Sequence, residues 1–113
     1  MEKNINTIGV LGGSGALGSG LSYRLGKEGY QVLIGSRNQE KASKKVNEIN
    51  QRINREMVSI ESNYLAAEKS DLIILAVPFS NHLAIVNEIA PVVQNKIILD
   101  TTVPLVPPKV ARV

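Results

Sequence analysis

The chain has 113 residues, 43% of them hydrophobic and 20% charged, which is the size and balance of one globular domain with a single core. It has no cysteine and one histidine, His82, which excludes disulfides, thiolate catalysis and Cys-based metal sites and argues against zinc. A net charge of +3 without a basic face of base-reading groups gives no reason to expect nucleic acid as a partner.

Met1–Asn6 is polar and lacks the apolar core of a signal peptide. Ile5–Leu11 then mixes Ile, Val and Thr and runs into glycines, which predicts a buried first strand. From Gly15 to Glu28, Leu17, Leu21 and Leu25 recur every four positions, predicting one face of a helix that Gly29 stops. Gln31–Gly35 reads as a second strand. Asn38 is the expected N-cap of a second helix, with Ala42, Val46, Ile49 and Ile53 along one side. Met57–Ile60 reads as a third strand, and Asn63–Lys69 as a short helix capped by Asn63.

Leu72–Val77 is a continuous apolar run, as a central parallel strand covered on both faces would be. It is also the longest such run, far below the ~20 residues that span a bilayer, so no membrane is expected and the chain reads as cytoplasmic. Asn81–Val93 predicts a helix with His82, Val86, Ile89 and Val93 on one stripe, stopped or kinked near Ala90 by Pro91. Lys96–Thr101 reads as a fifth strand. Strands and helices alternate throughout, so the expected fold class is α/β, a Rossmann-type parallel sheet of order 3-2-1-4-5 with helices on both faces. Residues 1–102 form this domain. Residues 103–113, with Pro107-Pro108, read as a Pro-rich tail with no clear period.

The segment Gly12-Gly13-Ser14-Gly15-Ala16-Leu17-Gly18 contains a GxGxxG pattern between a strand and a helix. That context is what makes the pattern informative. Gly13 permits the turn, Gly15 lets a pyrophosphate approach the backbone, and Gly18 lets the helix pack close to the sheet. Ala16 and Leu17 open the helix, whose free N–H groups and dipole favour phosphate. The bland alternative is a glycine-rich structural turn.

In NAD-binding domains an acid roughly 20 residues beyond the glycine loop holds the ribose 2′-OH. Here the second strand ends instead on Gly35-Ser36-Arg37. Ser36 can hydrogen-bond a 2′-phosphate, and Arg37 can clamp it or stack on adenine. Lys41, one turn on, adds charge, and Ser14 can reach the same phosphate. The expected cofactor is therefore NADP(H). Lys44 and Lys45 read as a solvated helix face.

With these residues in place, the chain resembles the NADPH-dependent reductases of the deazaflavin coenzyme F-420. The resemblance rests on Gly9–Gly18, on Gly35-Ser36-Arg37 followed by Lys41, on Asn63-x-x-Ala66-Ala67-x-x-x-Asp71, on Leu75-Ala76-Val77-Pro78, and on Asp100-Thr101-Thr102-Val103-Pro104-Leu105. It implies hydride transfer between NADPH and F-420, with F-420 as co-substrate. It also implies that Ser14, Ser36, Arg37 and Lys41 surround the 2′-phosphate, and that Val77, Pro78 and Phe79 lie over the cofactor. Members of the family carry a C-terminal domain that completes the deazaflavin site and the dimer, so self-association or a missing half is expected here.

Hydride transfer between two cofactors needs no protein acid or base, and none is expected. His82 reads as structural or surface-bound, Asp71 as the start of the fourth strand, and Asp100 as a cap of the following loop. Two other readings fit the residues: a non-catalytic NADP(H)-binding module, and a Rossmann reductase or dehydrogenase with another acceptor.

Overall fold

Runs of Ile, Val and Leu bounded by glycine and turn residues form the strands of the computed structural model, which describes residues 5–12 and 14–101, the side chain of Phe79 excepted. Strands β1 (Thr7–Leu11), β2 (Gln31–Gly35), β3 (Val58–Glu61), β4 (Leu72–Leu75) and β5 (Ile97–Asp100) alternate with helices α1 (Ala16–Lys27), α2 (Gln39–Ile53), α3 (Asn63–Lys69) and α4 (His82–Ile89). Every pairing is parallel, in the order β3-β2-β1-β4-β5, as the alternation predicts. The chain winds one way from β1 and the other way from β4, so a crevice opens beyond the C-terminal ends of these two strands.

The sheet is covered on both faces. On one, Ile8, Val10, Val32, Ile34 and Ile74 pack with Ala42 and Ile49 of α2. On the other, Leu11, Leu33, Ile73 and Leu75 pack with Ala66 and Ala67 of α3 and Ile85 and Ile89 of α4. Each large aliphatic side chain so buried contributes roughly 1.5–3 kcal/mol, and this aliphatic core is what holds the strand ends in register.

Helix α1 departs from the expected stripe. Its buried residues are Gly18, Ser22 and Gly26, while Leu17 is 54% exposed and Leu21 and Leu25 are half-buried. The four-residue period is right, but the buried face lies one position on. The reason is close approach: a Cβ on Gly26 would lie 2.8 Å from Ile53 Cδ1. Ser22 folds its hydroxyl back, donating to Gly18 O at 2.8 Å.

The helix ends follow from capping. Asn38 Oδ1 accepts from Lys41 N at 2.9 Å, as expected. Helix α3 is capped by Ser62, whose Oγ accepts from Leu65 N at 3.2 Å, and not by Asn63. Asn63 is the first helical residue and is turned inward. Pro91 falls in a 3-10 turn, Ala90–Val92, directly after α4 ends at Ile89. The buried side of α4 is Ile85 and Ile89, leaving His82, Val86 and Val93 half-buried.

Strand bounds shift by a residue or two for local reasons. Asp71 Oδ2 accepts from Asn6 N and Thr7 N, at 3.0 and 3.1 Å, and so fixes where β1 begins. Asn50 Oδ1 accepts from Met57 N and Val58 N, ordering the entry to β3. Strand β4 ends at Leu75, and Val77, two residues on, lines the crevice. Along β5, Ile97, Ile98 and Leu99 are all exposed, so this apolar strand is an uncovered edge among the described residues. No described helix is long and apolar enough to cross a membrane. Residues 103–113, including Pro107-Pro108, lie outside the described residues.

Candidate functional site

The loop after β1 is shaped by backbone contacts that tolerate no side chain. Gly12 has φ +80°, and a Cβ there would lie 2.7 Å from Ala76 O and 2.8 Å from Val77 Cγ1. Its N–H donates to Gly35 O at 2.9 Å, which ties the turn to the end of β2. Gly15 differs. Its backbone is extended, with φ −79° and ψ 175°, and a Cβ there would meet only Gly12 O, at 3.6 Å. The fold does not require glycine at 15, but the open space above it is what a phosphate approaching the backbone needs. No side chain among the described residues caps α1, so its first N–H groups are open to another acceptor. Gly18 is buried. Gly13 lies outside the described residues.

The end of β2 forms the facing wall. Ser36 is 8% exposed; its Oγ accepts from Asn38 N at 3.1 Å and lies 3.3 Å from Ser14 Oγ. Ser36 therefore both orders the turn into α2 and joins the glycine loop to that turn. Ser14, Ser36, Arg37, Lys41, Val77 and Pro78 line one crevice of about 240 Å³, together with Gly12, Gly35, Asn38, Asn63, Asn81 and Ile85. The sequence predicted the first six of these and missed the polar pair Asn38 and Asn63 and the wall residues Asn81 and Ile85. A signal existed for Asn63, since it stands two residues beyond the C-terminal end of β3, where ligand residues of an open parallel sheet sit.

The charge of this crevice is one-sided. Arg37 and Lys41 are exposed and make no ion pair among the described residues. Glu61, which pairs in register with Gly35, is neutralised by Lys69 Nζ at 2.6 Å. At the far side, His82 Nε2 lies 2.6 Å from Asp100 Oδ2, linking the start of α4 to the end of β5. The loop after Asp100 lies outside the described residues.

Two predicted residues stand elsewhere. The side chains of Ala16 and Leu17 line a shallow groove on the outer side of α1, with Gly20, Leu21 and Arg24, so only their backbone serves the helix end. Phe79 opens a 3-10 turn, Phe79–Asn81, above the crevice residues; its side chain lies outside the described structure. A second groove, lined by Asn47, Asn50, Gln51, Asn54, Arg55 and Glu56, lies where α2 ends and β3 begins, remote from the strand C-termini.

Residues 7–104 match the family model described as NADP oxidoreductase, coenzyme F-420-dependent. The chain is 37% identical over 100 residues to the F-420-dependent NADP reductase of Methanothermobacter thermautotrophicus, covering 87% of this chain and 43% of that protein. It is 38% identical over 103 residues to the protein of the same name from Methanocaldococcus jannaschii, covering 87% of this chain and 45% of that one. Thus the chain spans less than half the length of these relatives. Among solved structures, the minor L-lactate dehydrogenase of Enterococcus mundtii superposes with a TM-score of 0.75 at 16% identity, covering 90% of this chain and 39% of that chain, a likeness of fold alone. The family model covers most of the chain and these relatives share more than a third of their residues with it over the aligned length, so the chain belongs to the family of coenzyme F-420-dependent NADP oxidoreductases.

Proposed function

We propose that this chain binds NADP(H) in the crevice beyond β1, β2 and β4 and serves hydride transfer between NADPH and coenzyme F-420. The observation that carries the reading is the pair of cations without an ion pair among the described residues, Arg37 and Lys41, beside the hydroxyls of Ser14 and Ser36, where an NAD-specific domain would place an acid. The groups present fit a phosphorylated dinucleotide. The bare space over Gly15 suits the pyrophosphate, and the uncapped start of α1 offers it N–H donors. Ser14, Ser36, Arg37 and Lys41 supply charge-assisted donors to a 2′-phosphate.

NADPH, when bound, brings the hydride and F-420 takes it, so the protein is asked for orientation and the exclusion of water. Gly12 and Gly15 set the depth at which the dinucleotide lies. Val77 and Pro78 present an apolar wall that displaces water from beside it. The His82–Asp100 contact keeps the loop after β4 close to the end of β5. The exposed Ile97, Ile98 and Leu99 support the expectation that further protein, a second copy or another part of a longer chain, covers β5 in the active species.

The test is to mix the chain with NADPH and F-420 and follow both absorbances. The expected result is loss of NADPH and of oxidised F-420 in equal amounts, slowly for this chain alone. Binding of NADPH with F-420 left oxidised after prolonged incubation would instead identify a binding module or a different acceptor.

A further inference from the structure

Asn63 is 5% exposed, lines the crevice, and has a side-chain Oδ1 that is buried with no hydrogen-bond partner. The described residues give its amide nitrogen no hydrogen bond either. Burying an amide unpaired costs about 1–3 kcal/mol, and such groups are rare in folded proteins. The fold does not need Asn63 as a cap, because Ser62 caps α3. It also keeps space for this side chain: a Cβ on Gly35 would lie 2.6 Å from Asn63 Oδ1. An apolar residue would serve packing better, so the amide has a partner that arrives from outside.

We propose that Asn63 binds the adenosine half of the dinucleotide, an inference that rests on the crevice being the NADP(H) site. Asn63 abuts Gly35, one residue before Ser36 and Arg37, and so stands at the end of the crevice where β2 finishes and the 2′-phosphate is held. Val77, Pro78 and Ile85 offer an apolar wall for the face of a base. A carboxamide donates and accepts, which suits the polar edge of adenine or the ribose hydroxyl beside it. Because neither end of the amide has a partner among the described residues, it can turn to present either one at little cost.

The test uses Asn63→Ala and Asn63→Leu in the full chain, with calorimetric titration of NADPH and of adenosine 2′,5′-bisphosphate, and thermal melts. Both ligands are expected to bind each variant about tenfold more weakly, while Asn63→Leu melts at or above the wild-type temperature because an unpaired polar group has gone. Unchanged affinities for both ligands would overturn the proposal. So would weaker NADPH binding with unaltered bisphosphate binding, which would place Asn63 on the nicotinamide half. If Asn63→Ala fails to fold and Asn63→Leu melts well below wild type, the amide is structural and the proposal fails. Wild-type protein that binds neither ligand would overturn the reading of the crevice itself.

Discussion

Gly15→Val is expected to weaken NADPH binding by roughly a hundredfold or more, ~2.7 kcal/mol, while the protein stays folded. The two halves of this expectation have separate causes. The nearest atom to a Cβ at Gly15 is Gly12 O at 3.6 Å, and φ −79° is open to any residue, so the fold admits the substitution. Valine is a poorer N-cap than glycine, which costs up to about 1 kcal/mol and lowers the melting temperature by roughly 4–8 °C. The isopropyl group, however, occupies the space over the loop through which a pyrophosphate reaches the backbone. Circular dichroism and calorimetry on one preparation separate the effects. A folded variant with wild-type affinity would show that phosphate does not lie over Gly15.

Gly12→Ala is expected to do the reverse and damage the fold itself. At φ +80° an L side chain costs about 1–2 kcal/mol. The new Cβ would also press on Ala76 O at 2.7 Å and Val77 Cγ1 at 2.8 Å. The first of these is backbone and cannot swing aside, so overpacking adds about 1–3 kcal/mol. A loss of roughly 2–5 kcal/mol in urea unfolding follows, and because Gly12 N bonds Gly35 O, the relaxation also shifts the wall carrying Ser36. Stability within about 0.5 kcal/mol of wild type, the range of a neutral surface change, would contradict the tight turn described here.

These two glycines show how far the sequence could be read. The GxGxxG spacing locates the loop, but spacing does not distinguish a glycine demanded by its neighbours from one left bare for a ligand. Contacts with residues some sixty positions away, such as Ala76 O over Gly12, decide that. Helix α1 makes the same point. Its period was legible, yet the buried side is Gly18, Ser22 and Gly26, because at Gly26 the helix lies too close to Ile53 of α2 and Val58 of β3 for leucine. The alternating pattern and the apolar runs carried the topology, since a parallel sheet leaves few alternatives once strands and helices are placed. Ser36, Arg37 and Lys41 were legible because their place relative to the glycine loop is set by local chain geometry. Asn63 was misread as a cap: Ser62 and Asn63 are both capping residue types, and only the path of the chain out of β3 puts the serine at the helix end and turns the asparagine inward. The exposure of β5 was not legible, because an apolar strand reads the same whether or not anything covers it.

The central claim is that the crevice selects a phosphorylated nicotinamide dinucleotide. It is tested most directly by calorimetric titration of the chain with NADPH and with NADH under identical ionic conditions. The charge-assisted contacts available from Ser14, Ser36, Arg37 and Lys41 are worth about 1.5–3 kcal/mol. NADPH is therefore expected to bind at least about tenfold more tightly than NADH, with the difference narrowing as salt is raised. Equal affinities for the two cofactors would contradict the assignment of these residues to the 2′-phosphate.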